Sequence, residues 1–123
     1  MNMKRELVSV PVSDVDRAKA FYTHTIGFNA DHDHQVNDAL RFVQHTPPGS
    51  ACSIAIGTGL TTMEPGSIEG LRMVVADIEE PRAELAGRGA EVSEIDVQPW
   101  GSFVYFSDPD GNRWVLQQLP NRG

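Results

Sequence analysis

Three groups of residues in this chain are of types that can do chemistry. The first is Asp31-His32-Asp33-His34, in which imidazoles two positions apart on a strand would share one face and could ligate a metal ion. The second is Ser9, Arg72 and Gln117, each set in an alternating stretch and offering hydroxyl, guanidinium and amide groups; a guanidinium suits an anionic or carbonyl group of a ligand. The third is Trp100, Phe103 and Tyr105, aromatics of the kind that stack on planar molecules. Each group also has a plainer explanation. The Asp31–His34 run is polar enough for a solvated strand end and loop, Arg72 could pair with Glu69 or Glu91, and core packing or a subunit contact would account for the aromatics. Cys52 has no histidine near it in sequence and reads as an inert buried thiol. His24 falls in the last turn of a helix, where an imidazolium favours the dipole. No GxGxxG, P-loop or GxSxG motif is present.

The elements that must position these residues follow from periodicity. Val8, Val10 and Val12 alternate with Leu7, Ser9 and Pro11, the period of a strand. Asp14 then caps a helix carrying Val15, Ala18, Phe21 and Tyr22 at three- and four-residue spacing, and Gly27 ends it. Strands are expected at 28–30, 40–45 and 51–56. The stretch from Gly57 to Glu69 is rich in Gly, Thr, Pro and Ser and reads as a linker. After it, Leu71, Met73 and Val75 alternate with Gly70, Arg72 and Val74. Asp77 with Glu80 has the form of a capping box, Gly87 and Gly89 stop the second helix, and strands are expected at 91–95, 102–106 and 113–119 around the turn Asp108-Pro109-Asp110-Gly111-Asn112.

The second half therefore repeats the first. Val12-Ser13-Asp14-Val15 lies over Val75-Ala76-Asp77-Ile78, and a repeat of ~60 residues indicates an internally duplicated domain rather than a solenoid. The expected layout is α+β: one domain over residues 1–123, with module one at about 6–57, a linker at about 58–69 and module two at about 70–119.

The balance of 17 acidic residues against 10 Lys plus Arg, net −7, with the bases scattered, argues against a nucleic-acid or anionic membrane partner. A single cysteine excludes an intrachain disulfide and fits a cytoplasmic location, and no apolar run approaches the ~20 residues needed to cross a bilayer.

The phrases VSDVDRAKAFYTHTIGF, VVADIEEPRAELAGRGAEV and FSDPDGNRWVLQQ together resemble the vicinal oxygen chelate superfamily, which includes glyoxalase I, bleomycin-resistance proteins, fosfomycin-modifying enzymes and extradiol dioxygenases. The resemblance implies two βαβββ modules forming an incomplete barrel with a central cleft, often as a homodimer. In metal-dependent relatives, ligands would stand five residues before the valine of VSD, at the equivalent place in module two, and three residues after the asparagine of DPDGN. Here those places hold Leu7, Gly70 and Val115. A fourth lies somewhere in 51–57, a segment without His, Asp or Glu. No metal and no cofactor is therefore expected.

Alternation assigns Ser9, Arg72 and Gln117 to the cleft side of their strands, with Trp100 at the rim and Tyr105 nearby. The sequence thus points to a protein that binds a small organic molecule and lacks the metal-dependent isomerase or dioxygenase activity. The alternative is a metal-dependent lyase, isomerase or dioxygenase whose ion is held by ligands such as His32, His34 or His45. No constellation decides whether the chain is an enzyme.

Overall fold

A computed structural model describes residues 1–3 and 5–120. Its elements run β1 (Leu7–Ser9), α1 (Val15–Ala20), β2 (Asn29–Asn37), β3 (Leu40–Thr46), β4 (Ser53–Thr58), β5 (Leu71–Val74), α2 (Glu79–Gly87), β6 (Asp96–Gln98), β7 (Gly101–Ser107) and β8 (Arg113–Gln118). They form two four-stranded sheets, β1-β4-β3-β2 and β5-β8-β7-β6, and no barrel closes among the described residues. In each sheet the first strand pairs parallel with the last and the other pairings are antiparallel. This is the duplicated β-α-β-β-β order expected from the repeat.

Asp14 caps α1 through a bond from the Arg17 amide at 3.1 Å. Beyond Ala20 the helix widens into a π-helical turn over Phe21–Thr25, closed by the Ile26 amide on the Phe21 carbonyl at 2.9 Å, before Gly27 leaves it at φ 84°. That wider turn seats Tyr22, which is wholly buried. The second cap departs from expectation. Asp77 accepts from the Glu79 amide at 3.0 Å, a turn reaching two residues ahead, and Ile78 already has helical dihedrals, so the predicted capping box does not form. The Ile78 amide is instead satisfied by Gln118 Oε1 of β8 at 2.7 Å.

Two strands also differ from expectation. The second strand runs from Asn29 to Asn37, well past Ala30, because pairing with β3 supplies a backbone ladder that polar side chains do not interrupt; irregularities between Ala30 and His32 and between Gln35 and Asn37 adjust its register. The strand expected at 91–95 begins instead at Asp96. Ahead of it, Ser93 Oγ accepts from the Tyr105 amide at 2.9 Å, so a side chain replaces the carbonyl that a strand residue would offer.

One core serves both modules. Val10 just beyond β1, Ile54 and Ile56 of β4 and Leu116, Val104 and Phe106 of the second sheet join Ala18, Tyr22, Ile78 and Leu85 in a single buried cluster. At its centre the Tyr22 hydroxyl donates to Asp108 Oδ2 at 2.7 Å and accepts from Trp114 Nε1 at 3.0 Å. Asn112 donates to the carbonyl of Pro11 at 2.8 Å and accepts from the amide of Ile68 at 3.1 Å. Asp108 and Asn112 of the DPDGN turn thus form the buried latch that fastens Pro11 just beyond β1, the π turn and the linker to module two, with their polar groups partnered as burial demands.

Candidate functional site

The face of the second sheet turned away from the main core, on which Phe103 and Val115 are buried and Tyr105 is exposed, follows from its register. Arg72, Val115 and Tyr105 lie side by side across β5, β8 and β7, and Gln117, Phe103 and Asp96 form the next row across β8, β7 and β6. Alternation turns Trp114 and Leu116 into the core and this set away from it. Together with Gln98 and with Trp100 from the β6–β7 turn, Arg72, Asp96, Phe103, Tyr105 and Val115 line a cavity of about 440 Å³, within the size range of small-molecule sites.

The polar groups in the cavity are oriented by one another. Arg72 Nη1 donates to Gln117 Oε1 at 3.1 Å. Asp96 accepts from the Tyr105 hydroxyl at 2.8 Å and from Gln98 Nε2 at 2.8 Å. The bond to the Asp96 carboxylate pushes the Tyr105 phenol above its ordinary range, which keeps it a donor. The rings of Phe103 and Tyr105 are nearly parallel at 6.4 Å, and Trp100 is 63% exposed at the rim. The cavity therefore offers flat apolar surface beside a cation and a carboxylate that holds the Tyr105 hydroxyl.

The structure brings Arg72, Trp100 and Tyr105 together in this cavity and places Gln117 against Arg72. Ser9 does not line it; it stands on β1 in module one, opposite Ala55. Sequence reasoning missed Asp96 and Gln98 by placing the strand at 91–95, wholly before the one the structure shows at Asp96–Gln98. The signal was the polar-apolar-polar alternation of Asp96-Val97-Gln98, and in the structure Val97 is exposed while its neighbours are half-buried.

The register of β4 is also settled. Ser9 opposite Ala55 in module one repeats Arg72 opposite Val115 in module two, so Ala55 is the counterpart of Val115. The corresponding face of module one carries a chain of hydrogen bonds. Gln44 donates to Ser53 at 3.3 Å, Ser53 and Thr46 share a bond of 2.6 Å, and Thr46 donates to Asp31, which also accepts from Asn29 at 2.6 Å. The Thr46 bond is the main cause holding the Asp31 carboxyl below its ordinary range.

The histidines separate into two sets. His32 pairs with Gln44 and His34 with Phe42, so both lie on that face, exposed, with ring centroids 5.7 Å apart. His45 points the other way. It is fully buried under the helix, with Nε2 2.9 Å from Thr23 Oγ1 and Nδ1 without a partner, and burial holds its pKa below the ordinary value. His45 therefore cannot join His32 and His34 around one ion. Among the described residues, no group of three or more His, Cys, Asp or Glu side chains is gathered as a metal site would require.

Comparison with known proteins agrees with this architecture. Residues 6–116 match the family described as the Glyoxalase/Bleomycin resistance protein/Dioxygenase superfamily. The crystal structure of TnmS3, an antibiotic binding protein from Streptomyces sp. CB03234, is 39% identical with a TM-score of 0.86, covering 97% of this chain and 98% of that one. A superfamily member from Sphaerobacter thermophilus DSM 20745 is 31% identical at TM-score 0.82, covering 95% and 98%. Among curated proteins, the uncharacterised YetH of Bacillus subtilis (strain 168) is 29% identical over 115 residues, 90% of this chain and 94% of that protein.

Proposed function

The chain belongs to the Glyoxalase/Bleomycin resistance protein/Dioxygenase superfamily, and on that footing we propose that it binds a small organic molecule without the family's metal-dependent chemistry. The observation that carries this reading is the module-two cavity, where Arg72, Trp100 and Tyr105 converge. A flat ligand would lie against Trp100 and the Phe103–Tyr105 pair, with a carbonyl or anionic edge toward Arg72 and Gln117. The similarity to an antibiotic binding protein supports the same class of role.

A divalent ion does not fit the four places where metal-dependent relatives would hold one. Leu7, Ala55, Gly70 and Val115 carry no side-chain donor atom, and an ion that must polarise substrate oxygens needs several. No step through a metal is derived.

The proposed protein is a cytoplasmic homodimer. The exposure of Leu7, Val74, Trp100 and Tyr105 on the open faces of the two sheets supports a second copy covering them. Ser9, on module one, would reach a ligand only from such a second copy or from a cleft-facing position shared with it.

Metal analysis of dialysed protein, together with a fluorescence screen of aromatic compounds reading Trp100, tests the proposal. The expected result is sub-stoichiometric Zn, Ni, Fe and Mn with saturable quenching that Trp100→Phe abolishes. A stoichiometric retained metal would overturn the reading in favour of a metal-dependent lyase, isomerase or dioxygenase, with His32 and His34 as the pair to mutate first. Sedimentation analysis tests the dimer.

A further inference from the structure

Among the described residues, six of the eight arginines and lysines are paired with a carboxylate. Of the ten, Lys4 and Arg122 lie outside the described residues. Arg17, Lys19, Arg41, Arg82, Arg88 and Arg113 each stand within ion-pair distance of a carboxylate. Among the described residues this leaves Arg5 and Arg72 without one. In a chain with 17 acidic residues, an exposed cation ordinarily finds a carboxylate, and the candidates nearest Arg72 in sequence do not serve it: Glu69 is engaged by Arg113 at 3.5 Å.

The two unpaired arginines border the same cavity. It has a volume of about 300 Å³ and lies at the seam between modules, with Arg5 and Val8 from the start of module one, Ile54 from β4, and Leu71, Arg72 and Trp114 from module two. Two like charges bordering one cavity oppose each other there, and an entering anion would be attracted by both. The guanidinium of Arg72 has five N–H donors, and only one of these is engaged with Gln117. Beyond the charges the lining is largely apolar, with Ser50, Cys52 and Ser53 as its other polar or thiol groups, which suits a ligand with an apolar body.

We propose that this seam cavity is a second ligand site, which takes the carboxylate or phosphate of a small amphiphilic organic anion between Arg5 and Arg72. It is distinct from the module-two cavity, with which it shares only Arg72. Because one arginine comes from each module, occupancy would also fasten the two modules together.

Calorimetric titration of the purified chain with 2-naphthoate, 2-naphthyl phosphate and neutral 2-naphthamide tests the site. At least one anion should bind about tenfold or more tightly than the amide, with the advantage shrinking as salt rises. The better of the two anions identifies the headgroup. Arg5→Gln should remove the advantage, leaving the amide affinity and the melting temperature unchanged, and Arg5→Lys should restore part of it. Equal affinity for anions and amide, a full advantage in Arg5→Gln, or no binding of either anion at about 1 mM would each overturn the proposal. If Trp100→Ala weakens the anion and Arg5→Gln does not, the anion sits in the module-two cavity; the second site then fails while the small-molecule function stands.

Discussion

Replacing Tyr22 by Phe removes one oxygen from the latch between the modules, and the structure allows its cost to be worked out. The hydroxyl is wholly buried, donates to Asp108 at 2.7 Å and accepts from the Trp114 indole at 3.0 Å. Asp108 would stay satisfied, since Asn112 Nδ2 at 2.8 Å and the amides of Asp110 at 3.0 Å and Asn112 at 2.9 Å still donate to it. What is lost is one bond to a charged group, about 1.5–3 kcal/mol, and Trp114 Nε1 is left without an acceptor at about 1–3 kcal/mol. The two overlap, because the same oxygen serves both, so a total of about 3 kcal/mol is expected. That is a large share of the roughly 5–15 kcal/mol that holds a domain folded, and it corresponds to a drop of about 12 °C in melting temperature. Urea unfolding followed by tryptophan fluorescence should show a lower midpoint at an unchanged slope. The same hydroxyl makes a second, independent forecast. Burial, reinforced by the Asp108 charge, holds the folded phenol un-ionised far above its ordinary range, whereas the unfolded phenol ionises near pH 10. The folded state then binds the extra proton, so stability falls as pH rises above about 10, and Tyr22→Phe should abolish that alkaline loss. A destabilisation below about 1 kcal/mol, or an alkaline limb identical in wild type and variant, would refute the assignment of Tyr22 and DPDGN as the latch.

Further outcomes follow from other sites. On acidification His45 should act first: its folded pKa lies below the ordinary value, so the unfolded state takes up a proton first and stability drops as pH falls below about 6.5, and His45→Gln should flatten that part of the curve in pH-dependent melts. The Asp33 carboxyl, held well below its usual range by the bonds from Arg41 and Lys19, contributes stability that is present above about pH 4 and lost as pH falls through its folded pKa; Asp33→Asn should cost about 1 kcal/mol at neutral pH, less in high salt, with the gap to wild type closing in strong acid. Gly66 has φ 80° and a side chain there would meet the Asp110 carbonyl at 2.0 Å, so Gly66→Ala should lose roughly 2 kcal/mol or more in the same urea assay. Asp96→Asn should leave the fold intact, return the Tyr105 phenol toward its ordinary titration range in an ultraviolet pH titration, and so report directly on the module-two cavity.

Much of this protein was written locally. Alternation over Val8–Val12 and Leu71–Val75, the Asp14 cap and the repeated strand-helix phrase determine two βαβββ modules, because each signal is carried by neighbours in the chain. The same alternation placed Arg72 and Gln117 on one face of their sheet, where they meet. Three things needed the tertiary structure. The length of β2 depends on β3 supplying hydrogen bonds to a polar segment that has no strand periodicity of its own. The assignment of Ala55 as the counterpart of Val115 depends on strand register, which a run of small and apolar residues does not specify. Charge pairing was the least legible: Glu69 pairs with Arg113 rather than Arg72, and Arg5 and Arg72, 67 positions apart, share a cavity. Periodicity reports which way a side chain faces, since the backbone alone dictates that. Which group it meets is decided by how the two sheets are set against a common core, and that arrangement is built from contacts between residues far apart in the chain.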